Sequence, residues 1–237
     1  MEEIMYKNTF ILFLCFVVNV SLFQTPVFSK GTSGQKDRDE VLNEMEKANS
    51  NFKTLTADIT FTRTISLLES TDTSKGTLRY KKPKMLYLKF YPPRNEINII
   101  DGKYLWVYRP DERQVEKYHI GGGQSGKDVN FLAFGYEESV MAAKKNYKIT
   151  LLGTRKEGKQ RFYILGLSPK DPESQYSDIR LWVEEGFWLP GKIELYESGG
   201  EVVNIIEFNN IKLNKSISNK IFLFEAPRGV EVIEPFK

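Results

Sequence analysis

Apolar and polar positions alternate strictly between Leu55 and Thr62: Leu55, Ala57, Ile59 and Phe61 interleave with Thr56, Asp58, Thr60 and Thr62. A strand sends successive side chains to opposite faces, so this segment is a half-buried strand with its apolar phase turned inward. Similar short segments, separated by Gly, Pro, Asp or Asn, fall at about 75–81, 85–91, 95–100, 103–109 and 113–119, then at about 147–153, 160–167, 178–184, 191–198 and 201–214. The pattern predicts about eleven strands. Connections such as Asp101-Gly102 and Ser198-Gly199-Gly200 are too short for crossover helices, so neighbouring strands pair as antiparallel hairpins. A meander that curls on itself is the economical topology.

Ahead of the first strand the period lengthens. Val41, Leu42, Met45, Ala48 and Phe52 recur at helical spacing, with Asp37, Asp39 and Glu40 where carboxylates complement a helix N-terminus. This is an amphipathic helix that must lie on something apolar. The long interruption from Gly121 to Asn146 opens on a Gly-rich turn and carries Phe131, Leu132, Phe134, Tyr136, Val140 and Met141, split at Gly135. Two short helices flanked by glycine in mid-meander read as a lid rather than a wall. Ser168 to Ser177, polar and with two prolines, is a surface loop.

The N-terminus changes the picture of compartment. Lys7 precedes an apolar run from Phe10 to Phe23, broken only by Asn19 and Ser21, which reads as a signal peptide at residues 1–29 with cleavage after Ser29. A bilayer span needs about 20 apolar residues, and no second stretch of that kind follows. The mature chain, 30–237, is therefore expected to be exported and soluble. Cys15 follows Leu12, Phe13 and Leu14 rather than the small residues of a lipid-attachment site and leaves with the signal, so no disulfide, thiolate metal site or thiol nucleophile remains. Taking Lys7 from 34 basic residues, and Glu2 and Glu3 from 31 acidic ones, leaves 33 against 29. That balance is too even to imply nucleic acid. All-β chains of this length commonly form one domain, and one is expected here.

Candidate chemistry is thin. His119 is the single histidine, at a strand end between Tyr118 and Ile120, and no nucleophile-elbow pattern accompanies it. One histidine without a mature cysteine argues against zinc. Gly121 to Lys127, GGGQSGK, starts like a phosphate loop, but Asp128 stands where a magnesium-binding hydroxyl belongs, so the run reads as a hinge with Asp128 capping the next helix. The scattered carboxylates occupy polar strand phases and turns, without spacing that argues for a glycosidase pair. No catalytic residue, metal or cofactor is assigned.

Four segments together carry a resemblance: LTADITFT (Leu55 to Thr62), KGTLRYKKPKMLYLKF (Lys75 to Phe90), IIDGKYLWVYRP (Ile99 to Pro110) and IFLFEAPRGVEV (Ile221 to Val232). A glycine-led strand running into a lysine-proline turn, an Asp-Gly hairpin feeding Leu-Trp-x-Tyr, and a terminal Phe-x-x-Pro-x-Gly-Val resemble the LolA family of periplasmic lipoprotein carriers in order and spacing across nearly the whole mature length. The resemblance implies a mainly β fold, an incomplete, half-open antiparallel barrel of about eleven strands closed by the N-terminal helix and short lid helices. It also implies a periplasmic, non-enzymatic, monomeric carrier. Acylated lipoproteins would be its cargo, an inner-membrane ABC transporter the donor, and an outer-membrane receptor or membrane the acceptor. The inward phases of the first three strands then become the lining of the lipid-binding cavity: Leu55, Ala57, Ile59, Leu78, Tyr80, Leu86, Leu88 and Phe90. Phe131, Leu132 and Phe134 become the lid that fills the cavity when empty. Where the family typically carries arginine before the proline, a residue that bonds to the lid region, this chain has Lys82, which keeps the charge without the planar fork. Lys82 is accordingly the expected lid latch, with its partner in the insertion. Two other classes stay open: a lipid- or lipoprotein-sensing regulator on the same fold, and an exported hydrolase resting on His119 alone.

Overall fold

Asp37 caps the first helix, α1 (Arg38–Asn51): its side chain accepts the amide of Glu40, whose carboxylate accepts the amide of Asp37 in return. This reciprocal box satisfies two donors that a helix start leaves open. The computed structural model describes residues 36–120, 136 and 139–235. The strands β1 (Thr54–Ile65), β2 (Ser70–Lys81), β3 (Met85–Phe90), β4 (Ile97–Asp101), β5 (Tyr104–Arg109) and β6 (Gln114–His119) follow α1. A short helix, α2 (Val140–Asn146), leads into β7 (Tyr147–Glu157), β8 (Gln160–Pro169), β9 (Tyr176–Glu184), β10 (Pro190–Glu197) and β11 (Val202–Leu213), and β12 (Glu231–Ile233) comes last.

All twelve strands form one open sheet in the order β12-β6-β5-β4-β3-β2-β1-β11-β10-β9-β8-β7. The eleven antiparallel strands read from the alternation are present. The twelfth is three residues long and pairs with β6 in parallel, too short for periodicity to reveal. The topology also departs from one meander. Two meanders meet through β1 and β11, which pair from Leu55↔Leu213 to Ile65↔Val202. The chain therefore leaves one side of the sheet at β6 and re-enters at the opposite edge, β7.

Local chemistry sets the register. Gly102 adopts a φ of 97°, open to glycine at little cost, and Asp101 beside it accepts the amides of Lys103 and Tyr104 and the indole N–H of Trp106. At Gly76 any Cβ would lie 2.4 Å from the Lys89 carbonyl oxygen, so the close approach of β2 to β3 requires glycine there.

The two faces of the sheet are covered differently. On the convex side of β3 to β6 lies the C-terminal segment: Phe222 is buried, and the Phe224 ring sits 5.3 Å from that of Trp106 and 5.8 Å from that of Tyr108. β12 then locks the segment to β6 by a backbone ladder, with Lys117 bridging to Glu234. On the concave side lies α1, with Val41, Leu42 and Met45 buried against the strands. Among the described residues no helix is long and apolar enough to cross a membrane.

Candidate functional site

The register places the inward apolar residues of β1, β2 and β3 in three rows. Leu55 faces Tyr80, which faces Leu86; Ala57 faces Leu78, which faces Leu88; Ile59 faces Gly76, which faces Phe90. The eight residues assigned to a lining from alternation are all buried, in one continuous core. The rows run on in both directions. Leu86 continues to Ile100 and Leu105; Phe61 continues through Ile206, Ile193, Leu181 and Leu165 to Leu151. The result is one apolar surface spanning the concave face from β5 to β7.

Its second half, on β8 to β11, was missed from sequence for a physical reason. Tyr163, Ile164, Leu165, Gly166 and Leu167 are buried without a break, as are Leu181, Trp182 and Val183, because long side chains also cover the convex face there. The Lys192 ammonium lies 3.3 Å from the Trp182 ring centroid, and Arg155 stands 5.8 Å from it. With both faces covered the period of two vanishes from the burial pattern. An open groove of about 430 Å³ lies by these residues, among Phe162, Trp182, Gly191, Lys192 and Glu207, whereas among the described residues α1 and Tyr136 pack on the concave surface itself.

Tyr136, the described residue of the mid-chain insertion ahead of Ser139 and α2, is fully buried. Its ring packs at 6.3 Å from Phe52 and 5.2 Å from Phe208, and its hydroxyl donates to the Pro190 carbonyl. Burial pushes its phenol well above the ordinary range. Phe131, Leu132 and Phe134, the expected lid residues, lie outside the described residues, as do the GGGQSGK run and the N-terminal apolar run.

Lys82, the expected lid latch, is bonded to the end of the first helix. Its ammonium donates to both the backbone carbonyl and the side-chain Oδ1 of Asn49, in the last turn of α1, and sits 3.8 Å from the Phe52 ring centroid. The described partner of Lys82 is thus on the helix, whereas most of the insertion, where its partner was expected, lies outside the described residues. The physical reason is position: Lys82 follows β2 where its amide bonds Lys53, directly beside the helix C-terminus, whose carbonyls lack intrahelical donors. Burial lowers the Lys82 pKa, partly countered by the carboxylate of Glu46. Glu46 in turn accepts the amide of Val140 at 2.7 Å, tying α1 to the start of α2. At the other end of α1, Asp39 pairs with Lys144 at 3.6 Å and the Arg38 guanidinium reaches the Ile149 carbonyl at 3.5 Å. A few side-chain contacts, rather than a backbone ladder, therefore hold the cover.

The apolar surface ends in a partly buried ionic network at the start of β4 and on β5 and β6. Glu96 bonds Arg94 at 2.9 Å, Arg109 at 3.3 Å and the Asn98 amide at 3.0 Å, while Glu116 bonds Arg109 at 3.0 Å and the Tyr118 hydroxyl at 2.7 Å. Burial alone would raise the Glu116 carboxyl, but Tyr118 and Arg109 outweigh it and hold it below the usual range. Every charge here has an opposite partner, which makes the network a wall rather than an acid or base awaiting a substrate.

His119 is exposed at the end of β6, edge-on to the Tyr104 ring at 5.5 Å. Among the described residues no three metal-ligating side chains cluster.

The sequence pattern of the family described as "Outer membrane lipoprotein carrier protein LolA" matches residues 50–225. An uncharacterized protein of Methanocaldococcus jannaschii is 26% identical over 209 residues, covering 87% of this chain and 57% of that protein, so this chain spans little more than half of its length. An outer-membrane lipoprotein carrier protein of Hahella chejuensis is 27% identical over 183 residues, covering 77% of this chain and 83% of the relative. Among solved structures, an uncharacterized conserved protein from Thermus thermophilus superposes with a TM-score of 0.54 at 11% identity, covering 83% of this chain and 98% of that one, a likeness of fold.

Proposed function

This chain belongs to the outer membrane lipoprotein carrier protein LolA family, and on that premise we propose that it is a periplasmic carrier whose concave face receives the acyl chains of lipoproteins. Family members are carriers rather than enzymes, in keeping with ion pairs that are mutually satisfied. The observation that carries the reading is the cover: among the described residues a continuous apolar sheet face is covered by the amphipathic α1 and by Tyr136, with Val140 and Ala143 of α2 packed against the same core, and α1 is fastened by side-chain contacts at its ends. Burying a methylene is worth about 0.8 kcal/mol, so acyl chains bound in an empty trough would not leave. Where the ligand must first displace Val41, Leu42, Met45 and Tyr136, the gain is offset by contacts already made, and both loading and release become accessible.

In this reading residues 1–29 are a signal peptide and 30–237 the carrier domain, which acts as a monomer. An inner-membrane ABC transporter donates the cargo and an outer-membrane receptor or membrane accepts it. Leu55, Ala57, Ile59, Leu78, Tyr80, Leu86, Leu88 and Phe90 line the site, and Lys82 is its latch. The test is native mass spectrometry of the protein recovered from the cells that export it. A bound acylated protein is the expected result; protein recovered with no acylated species, and unable to take up a fluorescent fatty acid, would overturn the reading.

A further inference from the structure

The longest hairpin of the sheet ends in two exposed leucines. β1 and β2 pair over twelve residues, from Thr54↔Lys81 to Ile65↔Ser70, and a single 3-10 turn, Ser66–Leu68, joins them. Leu67 is 72% exposed and Leu68 68%. Glu69 closes the turn in the left-handed region, at a φ of 49°. The neighbour β3 pairs with β2 only between Gly76 and Lys81, so the outer part of β2, from Ser70 to Ser74, projects past it with β1 alone beside it. On the other side the tip is anchored at its base, where the Ser66 amide donates to Glu201.

The shaft below the leucines is hydroxylic. Thr64 and Thr71 bond across it at 3.2 Å, and Thr62 and Thr73 at 3.4 Å. Arg63 is held by Glu197 and Asn204, both at 3.1 Å. Glu69 and Asp72 near the tip give it no basic character that would attract anionic lipid.

We infer that this tip is a membrane contact: Leu67 and Leu68 enter the boundary between headgroups and acyl chains of a lipid bilayer, with the threonine shaft lying among the headgroups. Area decides for lipid over a protein partner. A stable protein interface takes about 800 Å² from each side, usually around an aromatic or aliphatic centre ringed by further contacts. Two leucines on one three-residue turn, with the hydroxylic and charged ends of β1, β2 and β11 around them, cannot offer that. A bilayer asks only for apolar side chains that reach past the headgroups. The affinity is also suited to a visit rather than a stay, since each leucine is worth roughly tenfold or more in partition. The tip deepens the carrier reading, on which it rests for its purpose, by naming a lipid surface as something the carrier meets. Lys82 sits at the opposite end of the same hairpin, about 35 Å away at the usual rise per residue.

The test uses protein recovered from cells expressing the full chain and vesicles of phosphatidylcholine and phosphatidylethanolamine without anionic lipid. Wild-type protein is expected to float with the vesicles at low and high salt alike. The Leu67→Glu/Leu68→Glu double variant, altered only at exposed positions, is expected to lose roughly a hundredfold in partition with unchanged circular dichroism. A Leu68→Trp variant reports from the tip itself, whatever the N-terminal run does: its emission is expected to shift to shorter wavelength on adding vesicles. Flotation of the double variant equal to wild type, or Leu68→Trp emission indifferent to vesicles, would overturn the inference. So would binding that needs anionic lipid and vanishes in salt, which would assign the contact to surface lysines instead. Uptake of a fluorescent fatty acid in solution separates the two claims. The double variant should match wild type there, and a wild-type protein that binds vesicles but no fatty acid would end the carrier reading while leaving the tip in place.

Discussion

The concave and convex faces of the same strands carry covers of similar chemistry and opposite fastening. On the convex side Phe222 and Phe224 lie on β3 to β6, and the chain beyond them is stitched into the sheet as β12, pairing Glu231, Val232 and Ile233 with Gln114, Val115 and Glu116. On the concave side Val41, Leu42 and Met45 present a comparable apolar stripe, but no backbone ladder joins α1 to the strands it covers; Lys82 and Arg38 tie it to the sheet through side chains, and Glu46 ties it to α2. Both covers exclude water. A ladder gives way only when the sheet does, whereas a helix on a greasy surface can be exchanged for another apolar body if its end contacts release. The difference teaches that burial alone does not mark a site: the fastening of the cover does.

The contrast is broken most severely at the fixed cover. Phe222→Ala removes a buried ring from a segment with no exchange partner and should cost about 3–5 kcal/mol, read by urea denaturation, with the loss unchanged by an acyl ligand. Met45→Ala on the exchangeable cover should cost the empty protein about 2–5 kcal/mol, and here a saturating ligand should erase much of the difference. Equal losses with and without ligand would show that α1 stays in place. Lys82→Leu removes a charge-assisted bond of about 1.5–3 kcal/mol from the empty state only. Fatty-acid affinity should therefore rise, up to about tenfold or more, and release to acceptor membranes should slow in a two-step assay; unchanged retention would remove the latch role.

The smallest effect returns to the convex side. Burial works against the Asp101 carboxylate, but its bonds from Trp106, Tyr104 and Lys103 outweigh that and hold its pKa below 3.8. The folded state thus binds this proton more weakly than the unfolded chain. The stabilisation is complete above 3.8 and fades as pH falls through the lowered folded value. Asp101→Asn should flatten that acid limb of the stability curve slightly while leaving fatty-acid uptake at neutral pH untouched.

The sequence made one half of this arrangement legible. β1, β2 and β3 have one polar face, so Leu55, Ala57 and Ile59, or Leu86, Leu88 and Phe90, announce their side by alternation. The other half of the trough did not, because Ile164, Trp182 and Glu194 are buried on the convex side as well. The fastening was legible only in part. Lys82 stood out beside Pro83, but nothing local names Asn49, 33 residues earlier, as its partner; that pairing arises from packing α1 across the strands. β12 was invisible for the same reason, being three residues whose only signature is a distant parallel partner.

Amide hydrogen exchange with and without a bound fatty acid tests the exchangeable cover most directly. The account predicts that the ligand strips protection from α1, Arg38–Asn51, while β6 and β12 exchange as before. Ligand bound with α1 as protected as in the empty protein, or with β12 loosened to the same degree, would contradict it.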